Sequence, residues 1–143
     1  MPEHKRVFLD TAPVIYYVQS NDFYFEQTQD TFIKLRRQKA EFVSSTVMME
    51  EACVYPFRLE RFDWHENLEN LLHLLNVEIV PVDEAIALRA AQIRAKHKSF
   101  HAMDAIQLAA AIVSGCDLFL TNDKRLKQFT EITCMTLTDF NAE

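Results

Sequence analysis

The sequence predicts an α/β fold, a central parallel β-sheet of 4–5 strands flanked by α-helices in one domain. Three observations predict it. Short apolar runs alternate with segments of helical period along the whole chain. No Pro/Gly/Ser-rich linker, internal repeat or low-complexity stretch divides them. The length of 143 residues suits one domain, 1–143, with a sizeable core.

Arg6 to Leu9 is a buried-strand run. Pro13 suits the first position of a helix carrying Val14 to Val18, because its missing N–H is not needed there. Ser20-Asn21-Asp22 is a break with a candidate N-cap. Phe25, Thr28, Phe32 and Leu35 then recur at helical spacing, which predicts an amphipathic helix over 22–38. Glu41 to Ser44 is the second strand. Ser45 or Thr46 can cap the following helix, which carries Val47, Met48, Glu51, Ala52 and Tyr55 and is expected to bend or end near Pro56.

Leu68, Leu71, Leu72 and Leu75 form a core stripe on the next helix. Val77 to Val80 is a third strand, ended by Pro81. Asp83 caps a helix carrying Ile86, Ala87, Ala90 and Ile93. A basic loop, 96–101, leads to a helix over 102–114, with Gly115 as its left-handed C-terminal residue. Strand 117–120, a short helix near 123–129, strand 132–136 and a tail complete the chain.

Composition excludes several function classes. Gly115 is the only glycine, so neither a dinucleotide-binding GxGxxG turn nor a phosphate-binding P-loop exists. Cys53, Cys116 and Cys134 are odd in number and lack CxxC spacing, which argues for free thiols over a disulfide framework or zinc site. His97 and His101 have i, i+4 spacing but straddle a loop, so zinc binding is set aside. No apolar run approaches the ~20 residues that span a bilayer, and Met1 to Arg6 contain no signal-peptide apolar region, so a cytoplasmic protein is expected. A net charge of −6 opposes a general nucleic-acid coat. The basic groups at 34–39, 94–98 and 124–127 read first as solvated helix ends and second as local polyanion attractors.

Chemistry concentrates in Asp10, Glu51, Asp104 and Asp123. Each falls near a strand end or on a helix that follows one, where open parallel sheets place their sites. Gathered there, four carboxylates repel one another unless cations join them, and oxygen ligands suit Mg²⁺ or Mn²⁺. Such an ion activates water and stabilises a phosphodiester leaving oxygen without a protein nucleophile. Each aspartate also has a structural reading as a helix cap or first-turn residue. Helical spacing leaves Glu50 and Glu51 equally placed to point inward.

These residues carry a resemblance. Leu9 to Tyr17, Ser45 to Pro56, Asp104 to Ala111 and Leu120 to Leu126 resemble, in order, the motifs of the PIN-domain nucleases, and the length is similar to VapC-type toxins of toxin–antitoxin systems. The resemblance implies that Asp10, Glu51, Asp104 and Asp123 form a metal-binding catalytic site, with Thr11, Thr121 and Asn122 as polar supports; alignment through Pro56 favours Glu51 over Glu50. It also implies a Mg²⁺- or Mn²⁺-dependent endoribonuclease acting on RNA, homodimerisation and inhibition by a small antitoxin. Tyr16, Phe23, Tyr24 and Phe25 are a candidate interface or a packed cluster. Two rival functions are a silent PIN-like module that binds RNA or protein, and a receiver-like phosphoacceptor. The receiver is disfavoured because Asp10 ends its strand without a second carboxylate beside it.

Overall fold

The computed structural model describes residues 3–142; Met1, Pro2 and Glu143, the extremes of the leading segment and the tail, lie outside them. Five strands, β1 (Arg6–Leu9), β2 (Glu41–Ser45), β3 (Glu78–Val80), β4 (Leu118–Thr121) and β5 (Thr133–Thr136), form one sheet in the order β3-β2-β1-β4-β5. Every pairing is parallel. Seven α-helices connect and cover them: α1 (Thr11–Val18), α2 (Phe25–Arg37), α3 (Thr46–Arg58), α4 (Phe62–Leu74), α5 (Glu84–Lys96), α6 (Ala102–Val113) and α7 (Leu137–Asn141). A 3₁₀ turn covers Lys124–Gln128.

The central strands carry unbroken apolar runs, Val7 to Leu9 and Leu118 to Leu120, because both of their faces are buried there, as parallel sheets require. Val7, Leu9, Leu118 and Leu120 point into one core with α1–α4 and α7, where Phe32, Leu35, Leu68 and Leu71 join them. Phe8 and Phe119 point to the opposite core, packed against α5 and α6, and stack on each other at 5.4 Å. The alternation follows the two-residue period of a strand. The Leu68 stripe is core, as its spacing predicts.

Two expectations need correction. Pro13 is the third residue of α1, which begins at Thr11 with Asp10 as N-cap; a proline fits there because first-turn N–H groups have no intrahelical partner. The expected end near Pro56 is found: α3 stops at Arg58, two residues after this proline. Its ring is buried, and the helix tolerates the missing N–H with two residues still to come. The tail contains α7, capped by Thr136, whose Oγ1 accepts from Asp139 N at 3.1 Å while Asp139 Oδ2 accepts from Thr136 N at 3.1 Å.

The basic groups near 34–39 and 94–98 do end helices, with Lys34, Arg36 and Arg37 closing α2 and Arg94 and Lys96 closing α5. Tyr16 stacks on Tyr24 at 4.5 Å and Tyr17 meets Phe25 at 5.1 Å, so this aromatic group packs within the chain, apart from Phe23, which is 88% exposed. His97 stacks on Phe100 while His101 is exposed, and the two rings share no site. Among the described residues, no helix is long and apolar enough to cross a membrane.

Candidate active site

Strand order reverses direction at β1, whose two neighbours, β2 and β4, lead the sheet outward on either side. The crevice at the carboxyl ends of β1 and β4 is therefore the topological switch point. A cavity of about 400 Å³ opens there, lined by Asp10, Thr11, Glu51, Asp104, Thr121, Asn122 and Asp123. All seven residues singled out from the sequence thus reach one pocket. Ala12, Tyr16, Met103, Gln107 and Lys124 complete its walls.

Asp10 follows β1 directly. Its backbone N–H donates to the Leu120 carbonyl at 3.0 Å, stitching the strand ends together. Its Oδ1 accepts from Thr11 N at 2.9 Å, which caps α1, and its Oδ2 accepts from the Thr121 hydroxyl at 2.7 Å. Burial pushes this carboxyl up to about 6, and the charges of Glu51 and Asp104 push the same way against the two hydrogen bonds. Asp10 therefore stands among negative charges that no protein cation offsets at its own oxygens.

Asp123 caps the 3₁₀ turn, its Oδ1 accepting from Arg125 N at 3.0 Å. Its own N–H donates to Thr121 Oγ1 at 3.1 Å, so one buried hydroxyl serves both Asp10 and Asp123. Hydrogen bonding from the Arg125 side chain holds the Asp123 carboxyl below the usual carboxylate range. Asp104 lies in the first turn of α6, where its Oδ2 accepts from His101 N at 2.9 Å. Asn122 donates from Nδ2 to Tyr16 Oη at 2.8 Å, fixing a pocket wall. The structural readings of the three aspartates are thus true together with their convergence.

Of the glutamate doublet, Glu51 lines the cavity and Glu50 is exposed. Thr11 Oγ1 donates to Glu51 Oε1 at 2.6 Å. Behind it stands a residue that sequence reasoning missed. Gln107 is 1% exposed; its Nε2 donates to Thr11 Oγ1 at 3.4 Å, and its Oε1 accepts a short hydrogen bond from Ser45 Oγ. Ser45 Oγ also accepts from Val47 N at 3.1 Å and so caps α3. The available signal was a lone polar residue in the apolar run Ala105 to Ile112, three positions after Asp104 and hence on its face of the helix.

Among the described residues, no three His, Cys, Asp or Glu side chains converge closely enough to hold a metal ion as they stand. Each carboxylate is instead held by donors: Thr121 for Asp10, Thr11 for Glu51, Arg125 for Asp104 and Asp123. The donor set nevertheless fits a hard divalent cation. It is oxygen-only, lacks thiolate and imidazole, and includes a carboxyl raised by burial and, to a lesser degree, by the charges of Glu51 and Asp104.

The sequence model of the PIN domain matches residues 7–132. This chain belongs to the PIN-domain family. Solved structures share the fold at low identity. The PIN domain is similar to VapBC2 from Rickettsia felis bound to a promoter DNA fragment, at 12% identity and a TM-score of 0.76 over 92% of this chain and 98% of that one. It is similar to FitAcB from Neisseria gonorrhoeae at 20% identity and a TM-score of 0.73, again over 92% and 98%. VapC20 from Mycobacterium tuberculosis, described as a Sarcin-Ricin loop cleaving toxin, aligns at 15% identity and a TM-score of 0.65, over 88% and 98%. A search of curated protein sequences returns no match for this PIN domain.

Proposed function

We propose that this PIN domain is a Mg²⁺- or Mn²⁺-dependent endoribonuclease and the toxin of a toxin–antitoxin pair. The observation that carries the reading is the pocket at the switch point, where Asp10, Glu51, Asp104 and Asp123 line one cavity of a PIN fold. The toxin assignment draws on the likeness to VapBC2, FitAcB and VapC20. A small antitoxin protein, a homodimeric state and a cytoplasmic location belong to the same proposal.

The four carboxylates would hold the ion. When bound, it supplies positive charge that stabilises developing negative charge on phosphodiester oxygens. The chain's own residues keep the donors in place. The Thr121 hydroxyl aims Asp10, Thr11 aims Glu51, and the fold fixes both threonines, 0% and 8% exposed. Such pre-set geometry limits the reorganisation required when substrate arrives. Lys124 lies on the pocket wall and provides a cation for a backbone phosphate, a contact that positions RNA without reading its sequence.

A catalytically silent PIN-like module that binds RNA or protein is the second reading. It is favoured by one observation: Arg125 already occupies oxygens of Asp104 and Asp123. Cleavage of a mixed RNA pool by purified protein separates the two. The nuclease cleaves with Mg²⁺ or Mn²⁺, stops in EDTA and is inactive as Asp10→Asn/Asp104→Asn. Folded protein that binds RNA and cleaves nothing under any of these conditions would sink the nuclease reading.

A further inference from the structure

A cation already stands among the pocket carboxylates. Arg125 Nη2 donates to Asp123 Oδ2 at 2.6 Å and to Asp104 Oδ2 at 3.3 Å. Its Nε reaches the two Asp123 oxygens at 3.1 and 3.2 Å, and its Nη1 donates to the Ser99 carbonyl at 3.0 Å. The guanidinium therefore bridges two elements, the start of α6 and the turn after β4. The fork geometry of arginine is suited to this, since it satisfies carboxylate oxygens in pairs.

The arrangement is built to open. The Arg125 side chain is 40% exposed, so water can replace its hydrogen bonds. The backbone is held separately: Arg125 N donates to Asp123 Oδ1 at 3.0 Å, and the next residue, Leu126, is fully buried. The guanidinium can thus leave while the turn stays anchored. It would compete with an ion for these oxygens, since it meets both of Asp123 and one of Asp104. The oxygens it occupies belong to two of the four carboxylates, and a divalent cation beside them would repel the guanidinium at short range.

We propose that Arg125 is a displaceable internal cation, which neutralises Asp104 and Asp123 in the ion-free protein and must withdraw before a divalent ion is held there. The inference rests on reading the four carboxylates as the ion site. It has a definite sign. If the guanidinium competes, apparent ion affinity is reduced by the fraction of molecules in which it has swung away, and exposed ion pairs of this type imply a reduction of about threefold to tenfold. If Arg125 instead serves to position Asp123 as a ligand, removing it weakens ion binding.

Mn²⁺ titration calorimetry without RNA distinguishes these, using the wild type, Arg125→Gln, Arg125→Lys and Asp104→Asn, each checked for folding by circular dichroism. The expected result is Mn²⁺ affinity about threefold to tenfold tighter in Arg125→Gln. Arg125→Lys should fall between, because the ammonium keeps the charge and loses the fork. Asp104→Asn should bind more weakly than the wild type. Affinity unchanged or weaker in Arg125→Gln overturns the competition and leaves the ion site intact. Absence of Mn²⁺ binding in all four folded proteins overturns the ion site and the competition together.

Discussion

Asp10 is the residue at which folding and chemistry conflict most. Its carboxyl is raised to about 6, first by desolvation, so the folded chain holds its proton more tightly than the unfolded chain does. An acid of this kind stabilises the fold at low pH and loses that contribution as pH rises from about 4 to about 6. Ion-free Asp10→Asn is therefore expected to be more stable than the wild type at pH 7, by up to about 3 kcal/mol, and the gap should close below about pH 4. Denaturant melts of both proteins between pH 3.5 and 7.5 in EDTA check this. A gap that is constant across the range would rule out the ionisation of Asp10 as its source. Stability gained by removing a site carboxylate is the usual sign of a position kept for chemistry.

At the scale of elements, the pocket depends on a polar line crossing three helices. Ser45 caps α3, Gln107 projects from α6, and Thr11 opens α1 and reaches Glu51. Gln107→Leu strands buried hydroxyls on both sides, so a loss of about 1–3 kcal/mol is expected. Because Glu51 loses its indirect support, kcat/KM of the proposed nuclease should fall about tenfold or more. A variant with wild-type kcat/KM would show that Thr11 needs no help from α6. This line was hidden in the sequence for a physical reason: its members are 96 and 62 positions apart, and only the packed fold makes them neighbours. The central strands β1 and β4 were legible, because burial on both faces leaves the apolar runs Val7 to Leu9 and Leu118 to Leu120, and so was the helix with the Leu68 stripe. The helix α7 was not, since five residues are too few to display a period. Its Thr136-to-Asp139 cap was the signal to read. The end of α3 near Pro56 was legible from that residue, whose missing N–H limits how far the helix continues. The acidic residues were legible as a set, while the choice between Glu50 and Glu51 required the orientation of α3.

The whole molecule carries a net charge of −6, which repels a polyanion at long range. The proposed RNA capture would then rest on a few local cations, with Lys124 on the pocket wall foremost. On Asp10→Asn protein, RNA affinity should fall linearly with salt on logarithmic axes, and adding Lys124→Ala should reduce the slope by roughly 0.7, the value for one lost phosphate contact to a single strand. Filter binding across a salt series measures it, and an unaltered slope would place the phosphate elsewhere. The same architecture has a consequence for heredity. Asp10 and Asp123 are also the N-caps of the segments that follow them. Asparagine and serine cap helices as well as aspartate does. A single substitution at either position can therefore extinguish the proposed activity while the chain still folds. Lineages burdened by such a nuclease have an easy route to a harmless, intact protein, and retired copies of this chain should carry Asn or Ser at positions 10 and 123.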